Sequence, residues 1–467
     1  MKIQQIYTGC LAQGAYYIES EGEVAIIDPL REIQPYIDMA AKNKSKIKYV
    51  FETHFHADFV SGHVTLAEKS GATIIYGPLA NPSFQATIAK ENQTFTLGNI
   101  TIKVLHTPGH TMESTCYLLI DEVGKNHALF TGDTLFLGDV GRPDLAQKAA
   151  DMTQEKLAAT LFDSLRNKIM PLQDDLIIYP GHGAGSACGK NLSNESSGTL
   201  GEQKETNYAL REDMTKEEFV KEVTDGLLPP PQYFPLNVKM NKQGYKDIVE
   251  VLKSGTHSMN PEAFEKTAND MGALVLDVRS KEEFAKGHIP DSICIGIDGG
   301  FAPWVGTLIG DTMHPILLIT PKEREIETIT RMARVGFDNT LGYLEGGFTA
   351  WKKAGKEYDT VNSITAKELE MKIENVPLFD VRKNSEFLSE RIPTATNTPL
   401  AAINDHFKNF PKDKHFFIHC AGGYRSMIAA SILKSRGVHN FTDIRNGFAA
   451  IKESAILTTN YVCPSTL

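Results

Sequence analysis

Four short stretches of this 467-residue chain set His and Asp where a metal ion could be held. The densest is Glu52-Thr53-His54-Phe55-His56-Ala57-Asp58-Phe59, which follows the strand-like run Ile47-Lys48-Tyr49-Val50-Phe51. Thr107-Pro108-Gly109-His110-Thr111, Phe130-Thr131-Gly132-Asp133-Thr134 and Tyr179-Pro180-Gly181-His182-Gly183 come later. Imidazole and carboxylate are donors for zinc and for non-heme iron. Loops at strand ends can gather such donors at one edge of a sheet. A different chemistry is expected at Cys420. The buried-strand pattern Phe416-Phe417-Ile418-His419 runs into Cys420-Ala421-Gly422-Gly423-Tyr424-Arg425-Ser426, and an apolar helical pattern follows from Met427 to Leu433. A cysteine in such a loop meets backbone N–H groups and the positive end of a helix, which stabilise a thiolate or persulfide anion. Arg425 adds a planar donor fork for an anion.

The elements that must position these groups read as a layered α/β protein. Val24 to Ile27 ends in Asp28-Pro29, Thr73 to Tyr76 ends in Gly77-Pro78, and Cys116 to Ile120 precedes an Asp-Glu turn. Helix-like stretches such as Thr65 to Ser70 lie between such strands. The proline-rich stretch from Leu228 to Pro235 is expected to be neither helix nor central strand, and the first domain ends near it. Beyond it the chain repeats. Leu276-Asp277-Val278-Arg279, Glu283-Phe284 and Ile289-Pro290 return 103 residues on as Phe379-Asp380-Val381-Arg382, Glu386-Phe387 and Ile392-Pro393. Gly346-Gly347-Phe348 returns as Asn446-Gly447-Phe448. Two α/β units of about 100 residues each follow from this. The expected division is 1–240, 241–358 and 359–467, consistent with about three domains for this length.

The four His/Asp stretches together resemble the metallo-β-lactamase superfamily over roughly residues 1–240, which implies an αββα sandwich. Dinuclear zinc hydrolases of that superfamily carry HxHxDH, where the Asp and the last His serve a second metal. Here the last position is Phe59, which cannot ligate, and a mononuclear site is expected. Within the superfamily the chain is most similar to the persulfide dioxygenases. That resemblance implies His54, His110 and Asp133 as ligands and one Fe(II) per chain, the two-His, one-carboxylate set of non-heme oxygenases. His56, Asp58 and His182 would orient ligands or substrate. Gly138 to Asp144 also resembles the loop after the metal Asp, and Arg142 is either structural or substrate-positioning. The tract Gly181 to Lys190 fits neither GxGxxG nor a P-loop, because Ser186 breaks the first pattern, and Ala184 and Asn191 break the second. Its glycines let backbone pass close to the metal pocket, and Cys188 either faces the substrate or packs as a small residue.

Cys420-x4-Arg425, with Asp380-Val381-Arg382, Glu386-Phe387 and Asn446-Gly447-Phe448, resembles the rhodanese sulfurtransferases over about residues 360–455. The resemblance makes Cys420 the nucleophile that carries a sulfane sulfur and Arg425 a group that helps bind the anionic donor or acceptor. The first repeat lacks the cysteine. Pro315 to Ile319 leads into Thr320-Pro321-Lys322-Glu323-Arg324-Glu325, whose glutamates would repel an anion, and Cys294 reads as core. Its expected role is structural, packing the two ends together or forming a subunit interface.

The formal net charge of −10 disfavours nucleic acid or an anionic membrane as a bulk partner. No apolar run spans a bilayer, and no secretory pattern opens the chain. Six scattered cysteines without a CxxC pair fit a reducing compartment, so a cytoplasmic location is expected. The chain as a whole resembles bacterial persulfide dioxygenase–rhodanese fusions that detoxify sulfide. That implies a low-molecular-weight thiol persulfide and O2 as substrates, sulfite as product, and sulfur transfer to thiosulfate, while the inactive repeat suggests an assembly role and a homo-oligomer. The alternatives are a thioester hydrolase of the glyoxalase II type fused to a sulfurtransferase, and a non-enzymatic sulfur relay or scaffold.

Overall fold

A computed structural model describes residues 1–147, 151–190, 192–227 and 229–463. Asn191 and Leu228, used above as motif and boundary markers, lie outside the described residues. The chain forms two compact units: Met1–Ile248 with Ala333–Gly336, and Val249–Met332 with Phe337 onward.

The first unit holds two six-stranded sheets. One contains β1 (Lys2–Thr8), β2 (Gln13–Ser20), β3 (Glu23–Ile27), β4 (Lys46–Glu52), β5 (Thr73–Tyr76) and β6 (Thr87–Ile88), in chain order. It is antiparallel from β1 to β3 and parallel from β3 to β6. The other contains β7 (Thr94–Leu97), β8 (Ile100–His106), β9 (Thr115–Ile120), β10 (Asn126–Gly132), β11 (Ile177–Pro180) and β12 (Gly198–Thr199). Among the described residues its β10–β11 pair is parallel and its other pairs are antiparallel.

Alternation sorts each strand between two cores. Ala25 and Ile27 of β3 pack in the inter-sheet core with Phe51, Val104, Tyr117 and Phe130. Val24 and Ile26, on the opposite face, pack with Tyr36 and Ala40 of the helix Gln34–Lys42. Strands covered on both faces read as continuous apolar runs, as β3 does. The outer face of the second sheet is covered by the helices Gln154–Ser164 and Lys216–Thr224, through Leu157's neighbours Ala158 and Leu161 and through Phe219 and Val223. The layers are therefore helix, sheet, sheet, helix. Every His/Asp stretch lies in a loop at the C-terminal end of a strand: β4, β8, β10 or β11.

The second unit holds two five-stranded, all-parallel sheets. The first contains β13 (Ser258–Met259), β14 (Leu274–Asp277), β15 (Ile293–Cys294), β16 (Ile316–Ile319) and β17 (Thr340–Leu344), in the order 13-17-16-14-15. The second contains β18 (Ser363–Ile364), β19 (Leu378–Asp380), β20 (Thr396–Asn397), β21 (Phe416–His419) and β22 (Phe441–Ile444), in the order 18-22-21-19-20. The same order in both sheets is the structural counterpart of the sequence repeat. Parallel pairing follows from the helical crossovers between successive strands.

One expectation is corrected. The proline-rich stretch was expected to exclude helix throughout, yet Phe234–Gln243 is helical with Pro235 in its first turn. A proline there sacrifices only an N–H that has no partner inside the helix, and its fixed φ suits the start. Among the described residues no helix is long and apolar enough to cross a membrane.

Candidate functional site

Three buried side chains from three loops meet in the first unit. The ligand atoms of His54, His110 and Asp133 lie within 4.8 Å of one another. Asp133 Oδ2 is 3.6 Å from His110 Nε2 and 4.0 Å from His54 Nε2. The rings are oriented from behind. Thr53 Oγ1 donates to Asp28 Oδ2 at 2.8 Å, so its lone pair accepts from His54 Nδ1 at 3.0 Å. His110 Nδ1 donates to the Arg142 carbonyl at 2.8 Å. Both imidazoles are thereby held as the tautomer whose Nε2 carries a lone pair, and a ligating histidine needs that arrangement. Asp133 Oδ2 is buried and has no hydrogen-bond partner. An orphaned carboxylate oxygen facing two imidazole lone pairs is costly without a cation. The three residues therefore fit a metal ion.

His182 sits beside this group and is engaged on both nitrogens. Nδ1 donates to Asp133 Oδ1 and Nε2 to Asp58 Oδ2, each at 2.8 Å. Burial opposes its charge, but Asp133 and Asp58 outweigh burial and hold the imidazolium well above the usual histidine range. The opposite holds at His54, where burial and the neighbouring His56 push protonation well below that range. Cys188 is buried, and its ligand atom lies within 4.8 Å of those of Asp58 and His182. Burial, then the charges of Asp58 and Asp133, push its thiol up. Gly181 passes so close that a Cβ there would lie 2.7 Å from Asp133 Oδ1.

His56 turns to a separate buried group. Its Nε2 is 3.1 Å from Asp28 Oδ1 and 3.6 Å from Glu52 Oε2. Burial opposes its charge, and Asp28 followed by Glu52 overrides burial to hold it at about 9. Asp28 also accepts from the Thr53 N–H at 2.8 Å, tying the start of the histidine loop to the end of β3. Arg142 does two jobs. Its carbonyl orients His110, while its guanidinium pairs with Asp144 at 2.6 and 2.7 Å and donates to the Ala187 carbonyl at 3.2 Å.

Cys420 and Arg425 lie in the second unit. Cys420 follows β21 directly and is buried. The Gly423 N–H donates to Cys420 Sγ at 3.1 Å, and Gly423, at φ +90, leads into the helix Tyr424–Ser435. One N–H of the expected loop, that of Gly423 at the helix start, thus reaches the thiol. Arg425 makes a two-bond pair with Glu386, at 2.5 and 2.8 Å. Glu386 holds part of the guanidinium's donor fork, a use of that charge the sequence reading did not include.

Residues 8–182 match the Metallo-beta-lactamase superfamily model, and residues 260–354 and 365–454 match the Rhodanese-like domain model. A solved metallo-beta-lactamase from Staphylococcus aureus subsp. aureus COL is 32% identical, with a TM-score of 0.65. The match covers 74% of this chain and 98% of that one. The chain belongs to the metallo-beta-lactamase superfamily. Its metallo-beta-lactamase domain is followed by rhodanese-like domains, and the two αββα sheets and the two parallel sheets are the folds of these parts. The metallo-beta-lactamase domain is also similar to a hydroxyacylglutathione hydrolase of Rhizobium etli, 35% identical over 165 residues, 34% of this chain and 57% of the relative. A probable hydroxyacylglutathione hydrolase of Schizosaccharomyces pombe is 31% identical over 167 residues, 35% of this chain and 60% of the relative. The chain thus spans less than two thirds of the length of these curated relatives.

Sequence reasoning missed several groups that shape the metallo-beta-lactamase site. Asp28 was read as a strand end; its only signal is a non-glycine residue at φ +49 before a proline, visible in structure alone. Asn241 carried no signal. Its Nδ2 donates to the carbonyls of His56 and Phe59, at 2.8 and 2.7 Å, and its Oδ1 accepts from the Ser61 N–H. A single buried amide therefore fixes the far end of the histidine loop.

Proposed function

We propose that the metallo-beta-lactamase domain is a persulfide dioxygenase with one Fe(II), held by His54, His110 and Asp133, and that Cys420 is the nucleophile of a sulfurtransferase. When bound, Fe(II) with open positions supplies activation of O2 and oxygenation of a soft sulfur substrate, chemistry closed to redox-inert zinc. The observation that carries the reading is His182. Both of its nitrogens are taken by Asp133 and Asp58, and Phe59 stands where the HxHxDH motif of the dinuclear members has its last histidine. His182 and Arg142 keep Asp133 and His110 oriented. Cys188 and Asp58 face the same space and bind or orient the persulfide. His56, drawn off by Asp28 and Glu52, braces the loop.

The thiol persulfide and O2 give sulfite, and a persulfide on Cys420 gives its outer sulfur to sulfite to form thiosulfate. The chain is divided as 1–240, 241–358 and 359–467, works in the cytoplasm on small molecules rather than nucleic acid, and assembles as a homo-oligomer. The test is product analysis with a glutathione or coenzyme A persulfide under air. The wild type should consume O2 and release thiosulfate. Cys420→Ser should consume O2 at an unchanged rate and release sulfite. Loss of O2 uptake in that variant would mean that the two sites do not act in sequence.

A second reading has its own support. The matched relatives are named as hydroxyacylglutathione hydrolases, and Asp58, His182 and Cys188 form a donor group that could hold a second ion. Two ions would suit a metal-activated hydroxide attacking a thioester. That arrangement requires His182 to release one carboxylate.

A further inference from the structure

The anion that exchanges sulfur at Cys420 needs a cation, and Arg425 is already paired through two hydrogen bonds with Glu386. Another cation at this loop comes from the Cys-less repeat. Lys281 opens the helix Lys281–Lys286 of that repeat, and its Nζ donates to the Gly422 carbonyl. A Cβ added at Gly423 would lie 3.0 Å from Lys281 Nζ. The N–H of this same Gly423 donates to Cys420 Sγ at 3.1 Å. One glycine thus touches the thiol on one side and the ammonium on the other. An ammonium has three donors, and Gly422 uses one. Lys281's neighbour Glu282 is 3.6 Å away, and the lysine side chain is 26% exposed, open to a small solute.

The contact is anchored. Tyr424 Oη donates to the Gly296 carbonyl at 2.7 Å, and the Cys294 N–H donates to Ser431 Oγ at 2.9 Å. Any side chain at Gly299 would collide with the Tyr424 ring, its Cβ coming within 2.4 Å. The loop of the second repeat is therefore seated on the first, and Lys281 is held where it is.

We infer that Lys281 is a specificity residue of the Cys420 centre: the Cys-less repeat supplies the cation that receives the small sulfur oxyanion. The inference rests on sulfite being the acceptor, as proposed above. In the transfer, the sulfur lone pair of sulfite forms the new S–S bond to the outer sulfur of the Cys420 persulfide. The bond from that sulfur to Sγ breaks, and its electron pair stays on Sγ as thiolate. Charge is −3 on both sides, and no proton or external electron enters. A persulfide anion and a sulfite dianion repel each other, and an ammonium beside the loop offsets that repulsion.

The test is single-turnover transfer from enzyme preloaded with one sulfur on Cys420, to sulfite and to the neutral thiol dithiothreitol, read as loss of the added sulfur mass. Lys281→Ala should raise the half-saturating sulfite concentration about tenfold, change that of dithiothreitol less than about twofold, and leave the maximal rate near wild type. Lys281→Arg should restore most of the loss. Equal weakening with both acceptors would make Lys281 a loop-positioning residue and overturn the inference. An unchanged sulfite dependence would overturn it too, while leaving the proposed function intact. A wild type that cannot pass sulfur to sulfite would overturn the acceptor reading and this inference together.

Discussion

In the first repeat β16 hands the chain to Thr320; in the second β21 hands it to Cys420. Around those positions the frame is the same. Arg279 Nε donates to Asp277 at 2.9 Å, and the guanidinium carbon lies 4.5 Å from the Phe348 ring centroid. Arg382 Nε donates to Asp380 at 2.9 Å, and the guanidinium carbon lies 3.8 Å from the Phe448 ring centroid. Even the loop backbone is kept, since Glu323 adopts φ +64 where Gly423 has φ +90. The side chains have changed sign. Thr320 Oγ1 donates to Glu325 at 3.1 Å in the first repeat, while Arg425 occupies the corresponding position in the second. The Asp-Val-Arg clamp belongs to the fold, and the two repeats differ in the seven residues after the central strand. A repeat that lost its cysteine has kept the frame, and the second repeat's loop rests on it.

The comparison can be broken most sharply by trying to restore the first repeat. In a Cys420→Ser background, Thr320→Cys alone should transfer sulfur at least about a hundredfold more slowly than wild type, because Glu323 and Glu325 oppose an anion there. Replacing residues 320–326 with the sequence of 420–426 should allow the first repeat to hold a persulfide, detected by mass. Comparable transfer by Thr320→Cys alone would show that the loop's charge is irrelevant.

Asp443 gives a difference in pH dependence. It pairs with Ser363 in the second sheet where Tyr343 pairs with Ser258 in the first. Burial lifts its carboxyl from 3.8 to about 6, with Ser426 and Lys281 partly opposing. Because the folded value is raised, this group favours the fold in full below about 4, and the benefit is lost as pH rises through about 6. Wild-type unfolding free energy should therefore fall relative to Asp443→Asn by about 2 kcal/mol between pH 4 and 7 in urea titrations. Parallel pH profiles would remove Asp443 from the account.

Arg425→Ala should cost about 1–2 kcal/mol of stability through the abandoned Glu386, together with about a tenfold slower transfer. Removing Arg324 from the first repeat should slow transfer much less. The smallest effect is expected at Glu323→Gly, which should stabilise the second unit by up to about 1 kcal/mol, since a non-glycine residue in the left-handed region carries that order of strain. Calorimetry of the full chain would measure it.

What the sequence made legible was local. Cys420 and its loop could be read because strand, glycines and helix are contiguous. His54, His110, Asp133 and His182 could be read because each follows its own strand. The repeat predicted two sheets, and their identical strand order agrees. What stayed hidden were partners brought together by strand pairing or by a distant helix. Asp28 reaches Thr53 only because β3 and β4 are parallel neighbours. Glu386 reaches Arg425 across 39 residues, and Asn241 reaches His56 across 185. Lys281 was invisible for the same reason, since its meaning depends on one repeat docking onto the other. Pro235 was misjudged because a proline that breaks a helix interior also starts a helix well.

The central claim is that the group formed by His54, His110 and Asp133 oxidises a persulfide. Protein purified without air and assayed for metal should contain one iron per chain, consume O2 on addition of glutathione persulfide, and lose both the iron and the O2 uptake in Asp133→Ala. Two zinc ions per chain, no O2 uptake, and rapid hydrolysis of a hydroxyacylglutathione thioester would contradict the account.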